Sequence, residues 1–148
     1  MLFRSGESLA QECEITAGLG DRIASLRFLP EGKQLLAADG RIAEEGTVRV
    51  IEVETGNVSA SWTAHADTIF DLALSRDGKL LATAGGDRLV KIWDLATRTE
   101  IAKLEGHTAQ VLAVAFDEKA ERLISGGADQ DLKLWDVKTK EHINSLGT

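Results

Sequence analysis

The stretch that decides the fold runs from Gly106 to Asp136. It reads Gly106-His107, then an apolar run from Val111 to Phe116, then Leu123-Ile124-Ser125-Gly126-Gly127-Ala128-Asp129, then Leu132-Lys133-Leu134-Trp135-Asp136. The same order of residue types stands one unit upstream. Trp93 precedes Trp135 by 42 positions, and His65 precedes His107, Thr83 precedes Ser125 and Asp87 precedes Asp129 by the same interval. A fixed period of this size marks a repeat architecture, in which each unit buries its apolar faces against its neighbours.

Each unit contains short runs rich in Val, Ile and Leu, separated by turn residues such as Pro30-Glu31-Gly32-Lys33, Ser75-Arg76-Asp77-Gly78 and Glu54-Thr55-Gly56-Asn57. The runs are too short, and the turns too regular, for helices. The expectation is therefore an all-β chain. Strands are expected at 23–29, 34–38, 47–53 and 58–62, at 69–74, 80–84, 89–94 and 100–104, and at 111–116, 122–126, 132–137 and 141–146. The run Val111 to Phe116 is nearly all apolar, as for a strand covered on both faces, and Ser25, Ala73, Ala113 and Ala115 suit a crowded inner ring. Arg49, Lys91 and Lys133 each stand two residues before the Trp position, where a stem lying along the ring with its charge in solvent is expected.

Gly-His near the start and Trp-Asp near the end of a unit of about 40–45 residues resembles the WD-repeat family of β-propellers. The resemblance implies a partial β-propeller of four-stranded antiparallel blades, with strand a innermost and strand d outermost. Residues 1–15 would supply strands c and d of one blade, with Phe3 in the Trp position. Residues 16–62 would form a degenerate blade, 63–104 a second and 105–148 a third, together one incomplete propeller domain. A three-and-a-half-blade array falls short of the usual 4–8 blades. The remaining blades are expected from the same longer chain or from a homo-oligomer that closes the ring.

The resemblance also implies a buried hydrogen-bonded network in each full blade: His65, Thr83, Asp87 and Trp93, and again His107, Ser125, Asp129 and Trp135. The donors and acceptors match, since Trp offers one N–H, Ser or Thr both functions, His both and Asp only acceptors. The competing reading of Ser125, His107 and Asp129 is a hydrolase triad. Its recurrence in the neighbouring unit speaks against that, because catalysis needs one site and an exposed nucleophile. The chain has three His and one Cys, and no cluster of them has metal-ligand spacing. Asp129-Gln130-Asp131 lacks the ligand pattern of a calcium loop. No cofactor and no metal are expected.

The degenerate unit places Leu19, Ala37, Glu45 and Ile51 at the four network positions, so it is expected to rest on apolar packing. It carries four additional residues, Arg41-Ile42-Ala43-Glu44, in the loop between strands b and c. Variation of that kind on one rim of a repeat protein often maps to a binding face. By position, Arg22, Arg41, Glu44, Thr68, Arg88, Gln110 and Gln130 are the candidate contacts for a protein or peptide partner.

The formal net charge of −7 disfavours nucleic acid and anionic membrane. The first half holds most of the acidity, with 12 acids against 6 bases up to Leu74, which points to a basic partner there. A single Cys13 allows no internal disulfide and fits a reducing cytoplasm. The functional expectation is a non-catalytic interaction scaffold. The alternative is a structural or regulatory propeller segment of a larger multidomain bacterial enzyme, because the loop addition looks like variants in bacterial arrays of this family.

Overall fold

The computed structural model describes residues 22–40 and 44–146. The half-unit expected at residues 1–15, together with Leu19 and Arg41, lies outside them. Among the described residues, twelve strands and no helix are present, and the strands form three antiparallel four-stranded sheets. The first sheet orders β1 (Ile23–Phe28), β2 (Gln34–Asp39), β3 (Gly46–Glu52) and β4 (Val58–His65) as a meander. The second repeats it with β5 (Ile69–Leu74), β6 (Leu80–Gly85), β7 (Val90–Asp94) and β8 (Thr99–Leu104). The third has β9 (Val111–Phe116), β10 (Arg122–Gly127), β11 (Leu132–Asp136) and β12 (His142–Ser145). The chain is an all-β partial propeller. Among the described residues no helix is long and apolar enough to cross a membrane.

Local chemistry repeats along with the strands. In the turn between the first two strands of each sheet, Gly32, Gly78 and Ala120 adopt φ values of 70°, 71° and 55°. In the turn between the last two, Gly56, Arg98 and Lys140 take 70°, 58° and 63°. The left-handed conformation thus belongs to the position, and only some units fill it with the residue that adopts it most cheaply. The Asp of each Trp-Asp pair closes the latter turn, where the Thr97 amide donates to Asp94 at 2.9 Å and the Thr139 amide to Asp136 at 2.7 Å. Such Asx turns fix the hairpin. Hydrogen bonds from Thr97 hold the Asp94 carboxyl below its ordinary range, and the Thr139 amide does the same for Asp136.

The pairing of the first strand with the second slips once in every sheet, at Ile23/Ser25, Ile69/Asp71 and Gly126/Gly127. The three innermost strands are neighbours, β1 against β5 and β5 against β9. Between the first and second sheets, Leu36, Val48 and Val50 meet Ile69, Leu72, Leu81 and Trp93. Between the second and third, Ala82, Val90, Ile92 and Leu104 meet Val111, Val114, Leu123 and Trp135. Each fully buried aliphatic side chain in such a layer contributes roughly 1.5–3 kcal/mol. The second sheet therefore has a front, set against the first sheet, and a back, set against the third.

Three sequence expectations change here. Strand β9 is not covered on both faces, because Leu112, Ala113 and Ala115 are exposed while Ala73, the partner of Ala115 one unit earlier, is buried. Strand β4 runs beyond Trp62 to His65, where Gly46 pairs with His65. The basic residues beside the Trp position do not hold their charges in solvent. Lys133 is buried, with Nζ 3.0 Å from Asp131 and 3.3 Å from Ser145, and Lys91 reaches Glu100 at 3.0 Å while lying over the Trp93 ring.

Candidate functional site

Two copies of one polar chain lie between strands. In the second sheet the Trp93 indole donates to Thr83 Oγ1 at 3.1 Å, Thr83 Oγ1 lies 2.6 Å from His65 Nε2, and His65 Nδ1 lies 2.8 Å from Asp87. In the third, Trp135 donates to Ser125 Oγ at 2.8 Å, Ser125 Oγ is 2.8 Å from His107 Nε2, and His107 Nδ1 is 2.9 Å from Asp129. The donors run in one direction. Because the carboxylate only accepts, Nδ1–H donates to it; Nε2 of the neutral ring is then an acceptor, and the hydroxyl, which accepts the indole N–H, donates to it. Both histidines are thereby assigned the Nδ1–H tautomer.

Each carboxylate also fixes the backbone around it. Asp129 accepts from the Thr108 amide at 2.8 Å and the Asp131 amide at 3.3 Å, and Asp87 accepts from Ala66 and Leu89, both at 3.3 Å. Burial disfavours the charge on Asp129. The Thr108 amide and His107 outweigh it and hold the carboxyl below its ordinary range. For Asp87, burial is likewise outweighed by the hydrogen bond from His65 and the Ala66 amide.

The chain needs room. A Cβ at Gly85 would fall on His65 Nδ1 and Asp87 Oδ1, and one at Gly127 would lie 2.6 Å from His107 Nδ1. Both glycines end the second strand of their sheets, opposite Ile69 and Val111. His65 terminates β4 of the first sheet, while Thr83 and Trp93 stand on β6 and β7 of the second. The polar chain thus crosses a sheet boundary and joins neighbouring blades.

The first sheet has a different tie, which the sequence reading missed. Asp39 occupies the register position of Gly85 and Gly127, opposite Ile23, and Arg49 Nε donates to it at 2.9 Å. The Asp39 side chain is only 3% exposed. So the expectation of purely apolar packing for this unit is corrected: a buried ion pair stands where the His–Asp pair stands elsewhere. An acid two residues before the added loop and a base on the facing strand were the available signal.

A second polar hub was also missed. Asp71 Oδ1, on the innermost strand of the second sheet, accepts from Ser25 Oγ at 3.0 Å, Arg27 Nη2 at 3.1 Å and the Leu72 amide at 2.8 Å. Its other oxygen accepts from the Val114 amide at 3.3 Å. One carboxylate therefore bridges three inner strands. Its only sequence signal was an acid inside the apolar run Ile69-Phe70-Asp71-Leu72.

The candidate partner contacts divide. Arg22, Glu44, Arg88, Gln110 and Gln130 are exposed. Arg88 and Gln130 sit at φ 70° and 69° in equivalent tight turns, each amide donating to the glycine three residues back, at 3.2 and 3.1 Å. Thr68 is a correction. It is 1% exposed and its Oγ1 is enclosed, because it stands next to the fully buried Ile69 that opens β5, so it presents nothing to a partner. Among the described residues no group of three or more His, Cys, Asp or Glu is arranged to hold a metal.

Comparison with known proteins joins these observations. The chain is 35% identical to Coronin-7 of Rattus norvegicus over 80 residues, which cover 54% of this chain and 8% of that protein. It is 37% identical to nuclear distribution protein PAC1-2 of Uncinocarpus reesii over 86 residues, 55% of this chain and 19% of that protein. The chain spans less than a fifth of either relative. The fold superimposes on the structure of U3-55K with a TM-score of 0.77 at 23% identity, covering 85% of this chain and 39% of the other. The crystal structure of the RRP9 WD40 repeats gives 0.77 and 23% with 38% of that chain covered. The family model "WD domain, G-beta repeat" matches residues 56–94 and 98–136, each window holding one outermost strand and the three strands of the next sheet. With the two matched windows spanning just over half of the sequence and each enclosing the Trp–Ser/Thr–His–Asp chain, the protein belongs to the WD40 repeat family.

Proposed function

We propose that this chain is a non-catalytic scaffold that docks a protein or peptide partner on the rim carrying Arg22, Arg88, Gln110 and Gln130. The observation that carries the reading is where the reactive groups lie. The His65 and His107 side chains are 0% and 1% exposed, and each of their ring nitrogens has a partner in the polar chain. A Ser–His–Asp set acts on a substrate only if its hydroxyl can reach one. Ser125 is 1% exposed and already bonds Trp135 and His107.

What remains accessible is a row of long polar side chains at repeat-equivalent positions of a rigid sheet array. Loop residues on a rigid scaffold are the usual carriers of recognition. Arginine, with its planar fork of donors, is the rim residue best suited to partner carboxylates or backbone carbonyls. The WD40 relatives named above support the class of function, and the partner is left to chemistry.

Affinity capture with the wild-type chain and with an Arg22→Glu/Arg88→Glu variant tests the reading. The expected result is loss of the captured protein from the variant while its thermal midpoint stays unchanged. Equal capture by both proteins, and by a Gln110→Glu/Gln130→Glu variant, would remove the rim from consideration.

A further inference from the structure

We propose that a second docking groove lies between the first and second sheets, on the rim opposite Arg22 and Arg88. It takes an extended peptide of a partner protein in which an aliphatic side chain stands between a basic and an acidic residue. This rim is built from the turns that follow the first and third strands of each sheet, at the other ends of the strands from Arg88 and Gln130. Two adjoining cavities open on it and share Leu29, Gln34 and Gly78. Both are lined by residues of the first and second sheets, so the groove follows the boundary between them.

The two cavities differ in charge. One, of about 260 Å³, has Leu29, Leu36, Val50 and Leu95 as its aliphatic lining, and its charged residues are Lys79 and Arg98. The other, of about 480 Å³, carries Glu31, Glu52 and Asp77 against Lys33. Asp77 is turned to its own loop, accepting from Ser75 Oγ at 2.7 Å and from the Lys79 amide at 3.1 Å. The Lys79 ammonium is 79% exposed and 3.9 Å from Asp77, a separation at which a solvated pair contributes little. Lys79 is therefore available to an incoming carboxylate.

The equivalent boundary one unit on is filled. Leu80 stands where Gln34 stands, each closing the turn after the first strand of its sheet, and Leu80 packs against the core between the second and third sheets. Arg76 and Glu118 pair across that boundary. At the first boundary, Gln34 Nε2 is drawn instead to Glu52 of its own sheet at 2.6 Å. Pro30 takes the place of Arg76 and lies against Gly78, where a Cβ would fall 2.7 Å from the proline ring.

The occupant follows from this lining. Aliphatic walls with a few convergent polar groups suit an apolar side chain held in a fixed orientation. Lys79 and Arg98 at one end favour a carboxylate, which the guanidinium fork can take in bidentate fashion. Three acids at the other end favour a basic residue. Ends of opposite sign thus select the direction of the peptide as well as its composition.

Panning a random peptide phage library on the immobilised whole chain, followed by titration of the selected peptides as labelled synthetic copies, tests the proposal. The expected result is enrichment of peptides with an aliphatic residue between a basic and an acidic one. Their affinity should fall about tenfold or more for Lys79→Glu/Arg98→Glu, whose thermal midpoint should match the wild type. Exchanging the acidic residue of the peptide for Lys should restore binding to that variant, and Glu31→Lys should weaken the original peptide from the other end. No enrichment, enriched peptides without this charge pattern, or affinity unchanged in Lys79→Glu/Arg98→Glu would each overturn the proposal. Loss of binding in Arg22→Glu/Arg88→Glu instead would also overturn it, by assigning the peptides to the opposite rim and leaving the proposed function standing. Should the double charge reversal lower the thermal midpoint, Lys79→Gln/Arg98→Gln is read by the same criteria.

Discussion

The first sheet and the two that follow it solve one packing problem in different ways. At the end of the second strand, the second and third sheets place a glycine and let His and Asp meet across it. The first sheet places Asp39 there and draws Arg49 onto it from the facing strand. The position calls for a polar tie between strands, and more than one pair of residues can supply it. The two ties differ in reach. Asp39 and Arg49 both belong to the first sheet, whereas the chain running through His65 joins the first sheet to the second.

That difference sets an order of damage. Asp129→Ala leaves His107 Nδ1 and the Thr108 and Asp131 amides without their acceptor, each hydrogen bond to a charged group being worth about 1.5–3 kcal/mol. The expected loss is roughly 3–5 kcal/mol by urea unfolding, given the burial of the group. Asp39→Ala should cost less, about 1–2 kcal/mol, because the Arg49 side chain is 21% exposed and can turn to solvent. Equal losses would show that the two ties are equivalent in strength and erase the distinction drawn here.

Gly85→Ala sharpens the comparison from the backbone side. Its methyl would strike the His65–Asp87 pair, an overpacking expected to cost about 1–3 kcal/mol. The equivalent position in the first sheet already holds Asp39, so Asp39→Ala introduces no clash and loses the ion pair. If Gly85→Ala melts with the wild type, the close approach at Gly85 carries no strain.

Acid separates the sheets more gently. Asp87 and Asp129 have folded pKa values below those of an unfolded aspartate, near 3.9. Their contribution is present in full above that value and is lost as pH falls through the folded pKa. Stability measured by urea should therefore decline below about pH 4, and Asp129→Asn should flatten that decline. An unchanged acid slope in Asp129→Asn would contradict the coupling of this carboxylate to the fold.

How much of this was legible follows from particular residues. The strands were, since Trp93 and Trp135, His65 and His107 keep one interval and the apolar runs between them keep another. Strand ends shifted by one to three residues because pairing across the sheet, not composition, terminates them; β4 continues to His65 because Gly46 lies opposite. The Asp39–Arg49 tie was hidden because the acid at the sequence position of Asp87 and Asp129 is Glu45, beyond the added loop, and not Asp39. Glu45 instead is exposed and accepts from Thr63 at 3.3 Å. Asp71 was hidden because its partners Ser25, Arg27 and Val114 come from two other sheets, and no periodicity reports contacts between units. Thr68 was misplaced because a loop number does not tell which loop residue turns inward.

The central claim of the proposed function is that the Ser–His–Asp set of the third sheet ties the loop before β9 to that sheet and performs no chemistry. Urea unfolding of wild type and Ser125→Ala, with ester hydrolysis assayed on the same samples, tests it most directly. Removing the hydroxyl leaves the Trp135 indole and His107 Nε2 unpartnered, so the variant should lose about 1–3 kcal/mol while neither protein turns over ester. Hydrolysis by the wild type that disappears in an equally stable variant would contradict the account.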